Sequence, residues 1–440
     1  MATQCHSRRR FRFQRKLTVD FAGGAISSDA GLVLVREFDE RLGLTARLKR
    51  VVQDPRDARY VNHPLLVLLR QRIYQIAAGY EDTNDANTLR DDPTMQAVAG
   101  QVGRALASQP TLSRLENDIE WDTIRLLESE GTEWFCHHGA QPRETILDID
   151  STEDPTHGQQ AFAFFNGHYN SYMYHPLFIF EGNTGVLLAS RLRPGNAMGS
   201  RQAVALLRPL VRRLRVQRPT GPIALRADAA FCSPQVLDYA DYAGLSYAIG
   251  FRRTAPLLNL VAPLCEQAEQ LWQSRRERVR LYNSFSYQGV HWSRRRRVLA
   301  KVERNAEGIN LRFVVTNRAG RAKDLFHWYE QRGQAENFIK ELKNDIACDR
   351  LSCSAYRANA FRLQLHALAY NLLTLFRQHV LHNTDLARAT INTIRLRLLK
   401  IGARIVLSAR RLWFHLASGC PATSVFVQAT DRLAAIGPPG

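Results

Sequence analysis

Between residues 28 and 137 the apolar positions recur with a helical period. Leu32, Val33, Leu34, Val35, Phe38 and Leu42 follow Ser28 and Asp29, either of which can cap the helix. Pro64 opens a second helix through Leu68, Leu69, Ile73 and Ile76, ended near Gly79. Ser108-Gln109-Pro110 begins a third, with Thr111, Ser113 and Arg114 near its start. At 144 the texture changes. ETILDID reads as a buried strand ending in acids. HPLFIFEG and GVLLASRLRPG read as a hairpin turning at Asn183-Thr184. Residues 199–216 read as a helix, 222–228 as a strand, 233–244 as a capped helix and 246–252 as another strand. This order predicts an α/β core in which three antiparallel strands precede right-handed crossovers to parallel ones.

About seventy residues of alternating, strand-like pattern follow, among them RVRLYNSFSYQGVHWSRRRRVLAKVERN and INLRFVVTN. They predict a β-rich insertion. Beyond it lie the helical stretch WYEQRGQAENFIKELKN and the broadly apolar helix 361–381. The expected domains are therefore 1–142, a basic arm with a helical DNA-binding domain; 143–252, the first part of the core; 253–322, the insertion; 323–382, the second part of the core; and 383–440, a basic C-terminal region that mixes a helix with alternating strands.

Charge narrows the function. Sixty Lys and Arg stand against 41 Asp and Glu, a formal charge of +19, which calls for a polyanionic partner. The chain holds no apolar run long enough to span a bilayer, and arginines occupy the N-terminus where a signal core would lie. Nucleic acid is therefore the first choice. The arm, with Phe11 and Phe13 between arginines, the run Arg294, Arg295, Arg296 and Arg297, and Arg114 at its helix start are candidate DNA contacts. Seven scattered cysteines without a C-x-x-C pair predict a reducing, cytoplasmic setting and no structural zinc.

The acids narrow it further. Metal-dependent phosphoryl transfer needs carboxylates on separate rigid elements to hold two divalent ions. Asp148 and Asp150 are expected to point to opposite sides of the first strand. Asp150 is preferred because it ends the strand before Ser151-Thr152; Asp148 remains the alternative. Asp228 ends a strand predicted to lie beside the first, and Glu336 lies on the late helix. Turn or cap roles for the aspartates and a surface ion pair for Glu336 are the plainer readings. Tyr329, Arg332, Glu336 and Lys343 have offsets of 0, +3, +7 and +14, which place all four on one face of one continuous helix. Thr152 and His157 lie close enough in sequence to support the site.

The spacing Tyr-x2-Arg-x3-Glu-x6-Lys resembles the signature of insertion-sequence transposases of the DDE, RNase H-like class. Asp150-Ser-Thr resembles that family's first motif, and Asp228-Ala-Ala-Phe its second, with Ala229-Ala230 where a glycine is common. FAGGAISSDAGLVLVREFDERLGL and LLRQRIYQIAAGYEDTNDANTLRDDP look like a branch of compact bacterial members. The resemblance implies an RNase H-like core, with Asp150, Asp228 and Glu336 as catalytic ligands of two Mg2+ or Mn2+ ions. It implies Tyr329, Arg332 and Lys343 on DNA, cleavage at terminal inverted repeats, joining of 3′-hydroxyls to target DNA, and a homodimer or larger assembly on paired ends. An inert transposase-derived regulator and a stand-alone nuclease are the rival expectations.

Overall fold

Thr145–Ser151, β1, is buried over its first five residues and is an interior strand of an eight-stranded sheet. A computed structural model describes residues 8–437 apart from Pro55, with the side chain of Ala58 also undescribed. After β1 come β2 (Leu177–Glu181), β3 (Leu187–Arg191), β4 (Ile223–Ala227), β5 (Ser246–Phe251), β6 (Val279–Tyr287), β7 (Arg296–Asn305) and β8 (Gly308–Thr316). Their order across the sheet is β6-β7-β8-β5-β4-β1-β2-β3. The antiparallel run β1, β2, β3 is followed by β4 parallel to β1 and β5 parallel to β4, as the pattern predicts. Crossover helices α1 (Ala203–Gln217) and α2 (Pro234–Tyr242) make those parallel connections. This is a mixed α/β fold built on one large mixed sheet.

The insertion departs from expectation in one way. It opens with a 21-residue helix, α3 (Ala255–Arg275), despite Pro263 inside it. Its strands extend the main sheet, because β8 pairs antiparallel with β5. Helices α4 (Ala322–Glu330), α5 (Gly333–Asn344) and α6 (Tyr356–Val380) follow. Leu325 and Phe326 of α4 pack with Ala248, Leu299 and Val314, which fixes α4 against the β5-β8-β7 side.

The chain divides into two compact units, Glu116–Leu375 and a discontinuous one made of Met1–Leu115 with Phe376–Gly440. Residues 116–142 thus fall with the sheet: Arg191 on β3 meets Glu128 at 2.5 Å, and Thr132 donates to the Leu188 carbonyl at 2.9 Å. In the other unit the C-terminal strand Ala403–Leu407 pairs with Ile26–Ser27, and Phe376 packs edge-on against Phe38 at 5.7 Å. Gly31 has no room for a side chain, since a Cβ there would come within 1.8 Å of the Leu398 carbonyl oxygen. Neither Ser28 nor Asp29 caps the first helix. Its cap position is Gly31, and Asp29 instead accepts from Tyr80 at 2.9 Å and pairs with Lys400 at 2.8 Å. Among the described residues no helix is long and apolar enough to cross a membrane.

Candidate active site

The parallel register pairs Asp148 with Arg226 and Ile149 with Ala227. Asp150 and Asp228 therefore come next, at the C-terminal edge of neighbouring strands β1 and β4. The expectation that Asp148 and Asp150 face opposite sides is overturned by strand geometry, since residues two apart share a face. Depth separates them instead. Asp148 is 1% exposed and takes two 2.6 Å hydrogen bonds from Arg226. Asp150 stands one pleat nearer the edge. Its carboxyl is pushed up to about 6, first by burial and then by the charge of Asp228, with Glu336 adding to it. Asp228 also accepts from the Ala230 N–H at 2.9 Å and so caps the short turn Ala229–Phe231. The turn reading of Asp228 thus holds beside any other role.

The four signature residues do not lie on one uninterrupted helix. Tyr329 stands in the last turn of α4, which ends at Glu330, and the chain turns at Gln331-Arg332 before α5 begins at Gly333. The turn is tight: Arg332 N–H donates to the Tyr329 carbonyl at 3.0 Å, and Gln334 N–H to that of Gln331 at 3.0 Å. Arg226 holds this break in place. Its Nη1 donates to the Trp328 carbonyl at 2.9 Å, and its guanidinium lies 5.2 Å from the Trp328 ring centre. Tyr329 is pushed up first by burial; Arg332 opposes that, while Asp228 and Asp150 add to it. A Cβ on Gly250 would meet the Tyr329 hydroxyl at 2.7 Å and the Ala229 nitrogen at 2.9 Å, so a bare backbone is needed there. Glu336 sits in the first turn of α5, where the helix dipole favours an acid. Its side chain is 59% exposed and lies 3.5 Å from Arg332.

The remaining predicted residues scatter. Lys343 does not project freely: its Nζ donates to the Glu153 carbonyl at 3.0 Å and lies 3.8 Å from Asp349. Of the arginine run, Arg296 is buried and paired with Asp238 at 2.6 Å and Asp241 at 2.9 Å, which removes it as a DNA contact. Arg294 pairs with Asp241 at 2.5 Å, Arg295 donates to the Ser286 carbonyl, and Arg297 to those of Arg318 and Gly320. Arg114 is exposed on the helix Gln109–Asp118 and donates to Thr111. Thr152 is half-buried, with its N–H on the Pro176 carbonyl at 3.3 Å, and His157 is exposed in the loop beyond.

Tyr169 and His175 are neighbours of the site that the sequence pattern does not reveal. The Tyr169 phenol is pushed up by burial, then by Asp150, Glu153 and Asp228. His175 packs edge-on to Tyr169 at 5.8 Å; burial pushes it down, while Asp228 opposes that. No spacing links either residue to the acids; only the small sheet Asp154–Pro155, Phe164–Asn166 and Ser171–Tyr174 brings them near. Beside Ala229 a cleft of about 590 Å³ is lined by Arg252, Arg253, Arg312 and Arg332 together with Tyr329 and Glu336.

Among the described residues no three His, Cys, Asp or Glu side chains form a ready metal-binding group. The donor chemistry still suits a hard cation at the two aspartates. They are oxygen donors whose mutual repulsion raises Asp150, and a divalent ion between them would relieve it. Glu336 can join only by turning away from Arg332.

Residues 9–438 match the family described as Transposase DDE domain group 1. Among curated proteins none matches at a significant level. Among solved structures, the chain is similar to that of a piggyBac transposase synaptic complex with hairpin DNA, at 10% identity and a TM-score of 0.42, covering 98% of this chain and 88% of that one.

Proposed function

Since the chain belongs to the transposase DDE domain group 1 family, we propose that it is an insertion-sequence transposase. In this reading it binds the terminal inverted repeats of its element, hydrolyses a phosphodiester at each end and joins the freed 3′-hydroxyls to target DNA. The observation that carries the reading is the placement of Asp150 and Asp228 at adjoining strand ends, with Glu336 charged close enough to raise Asp150. Asp150, Asp228 and Glu336 would hold two Mg2+ or Mn2+ ions, which supply activation of the attacking oxygen and stabilisation of the leaving one. Arg332 and Tyr329 border the cleft and orient the scissile phosphate, and Arg252 and Arg312 neutralise the backbone beside it. Lys343 holds the Glu153 loop, and so sets where β1 ends, in preference to touching DNA. The active species is a dimer or larger assembly on paired ends.

Asp228→Asn tests this reading. It removes one anionic ligand and keeps a side-chain oxygen to cap the Ala229–Phe231 turn. Cleavage and joining of a duplex carrying the element's ends should be abolished, while gel-shift binding to those ends stays within about twofold, since the basic contacts are untouched. Binding that falls in parallel with cleavage would make Asp228 structural and sink the reading.

A further inference from the structure

Residues 386–430 contain seven Arg or Lys and not one Asp or Glu. Two of the seven are committed inside the discontinuous unit: Arg395 donates to the Ala77 carbonyl at 3.0 Å and Lys400 pairs with Asp29. Three others stand on one hairpin, formed by β9 (Ala403–Leu407) and β10 (Leu412–Leu416). Alternation divides its two faces. Ala403 and Ile405 turn inward with Ala30, while Arg404, Val406, Trp413 and His415 are exposed. The register sets Arg404 opposite His415 and Val406 opposite Trp413, so these four share the outer face. The Trp413 and His415 rings stack with centres 6.0 Å apart and planes within 6°. Arg411 lies 5.8 Å from the Trp413 ring, and Arg410 is exposed in the turn. Among the described residues no acid pairs with Arg404, Arg410 or Arg411.

We propose that this outer face binds the sugar–phosphate backbone of duplex DNA. Charge complementarity carries the proposal: three unpaired guanidiniums on an acid-free segment, set around an exposed aromatic pair. Guanidiniums bind phosphate oxygens in a bidentate manner, and a flat aromatic surface packs on the sugars between them. Charge placed only to keep an edge strand soluble would not explain Trp413, which is 49% exposed in the middle of the face. The proposal rests on the transposase reading only for the identity of the polyanion. It adds a contact that carries position and not sequence.

The test uses the full chain and a random-sequence 30-base-pair duplex, with affinity read by fluorescence anisotropy over a salt series. Arg404→Ala/Arg410→Ala/Arg411→Ala should weaken binding roughly tenfold or more and flatten the log–log salt slope by about two to three, near 0.9 for each phosphate no longer neutralised. Trp413→Ala should weaken binding and leave the slope unchanged. Arg410→Ala/Arg411→Ala, confined to the turn, repeats the effect at about two-thirds of its size should the triple variant fold poorly. Wild-type affinity and slope in the arginine variants overturn the proposal while leaving the transposase reading intact. So does a loss of self-association in sedimentation with DNA binding unchanged, which would make the face a contact between copies. A wild-type chain that binds no duplex at all would sink both.

Discussion

Arg226 grips Asp148 with two 2.6 Å hydrogen bonds directly beneath the Asp150 and Asp228 strand ends, and its remaining nitrogen holds the Trp328 carbonyl. One guanidinium therefore joins β1 and β4 to the end of α4. Both side chains are 1% exposed. Removing one partner strands the other charge in the interior. Arg226→Ala should cost about 3–5 kcal/mol in urea unfolding. Asp148→Leu/Arg226→Met should recover much of that stability and little cleavage, because the tie to Trp328 is still missing. A double variant no more stable than the single one would refute this account.

The raised carboxyl of Asp150 predicts a pH dependence. Its folded value of about 6 lies above the unfolded value of about 3.9. The folded state then binds the proton more tightly, so stability is highest below the unfolded value and falls as pH rises through about 4 to 6. At pH 7 without divalent metal, Asp150→Asn should be more stable than the wild type by about 1–3 kcal/mol, and the gap should close towards pH 4. Thermal unfolding across that range measures it. A gap that stays constant with pH would show that the shift is not the cause.

The arginine run separates fold from binding. Arg296→Ala removes a buried side chain that pairs with Asp238 and Asp241 and lies over the Trp292 ring, and should destabilise by about 1–3 kcal/mol even though Arg294 still holds Asp241. Arg295→Ala, on an exposed side chain, should change stability by less than about 0.5 kcal/mol. Equal loss of stability in the two variants would contradict the burial of Arg296.

Gly250 offers a test of geometry at the cleft. Gly250→Ala drives a methyl into the Tyr329 hydroxyl and the Ala229 nitrogen. End cleavage should fall at least about tenfold while DNA binding holds. Adding Tyr329→Phe removes the first clash together with a group that orients the phosphate, so it should recover part of the stability lost in thermal unfolding and none of the cleavage. A double variant no more stable than Gly250→Ala would place the clash at Ala229 alone.

The sheet was legible because its central strands are short apolar runs bounded by turn residues, and Gly182 and Gly185 mark the β2–β3 hairpin. The aspartates at strand ends were legible for the same reason. Helix α3 was not, since Pro263 reads as a break even though Pro256 suits its first turn and Leu257, Val261 and Ala268 keep a helical spacing. The break at Gln331-Arg332 was hidden by residues that favour helix on both sides; the Arg226 bond to Trp328 that holds it comes from 102 positions away. The arginine run looked like a DNA face because the acids that bury Arg296 lie more than fifty residues earlier. Local pattern carries the elements, and distant ion pairs decide which charges stay free.

The discontinuous unit also sets an order of events during synthesis. Its N-terminal segment leaves the ribosome before the sheet-bearing unit, yet the groups that complete it emerge after that unit: the strand that joins Ile26–Ser27, the ring that covers Phe38, and the lysine that neutralises Asp29. The sheet-bearing unit, encoded between the two segments, can fold while the first segment waits. A chain cut short before residue 376 would carry all three acids and lack the partners of its own N-terminus. Products terminated there would thus hold Asp150, Asp228 and Glu336 without a finished companion unit.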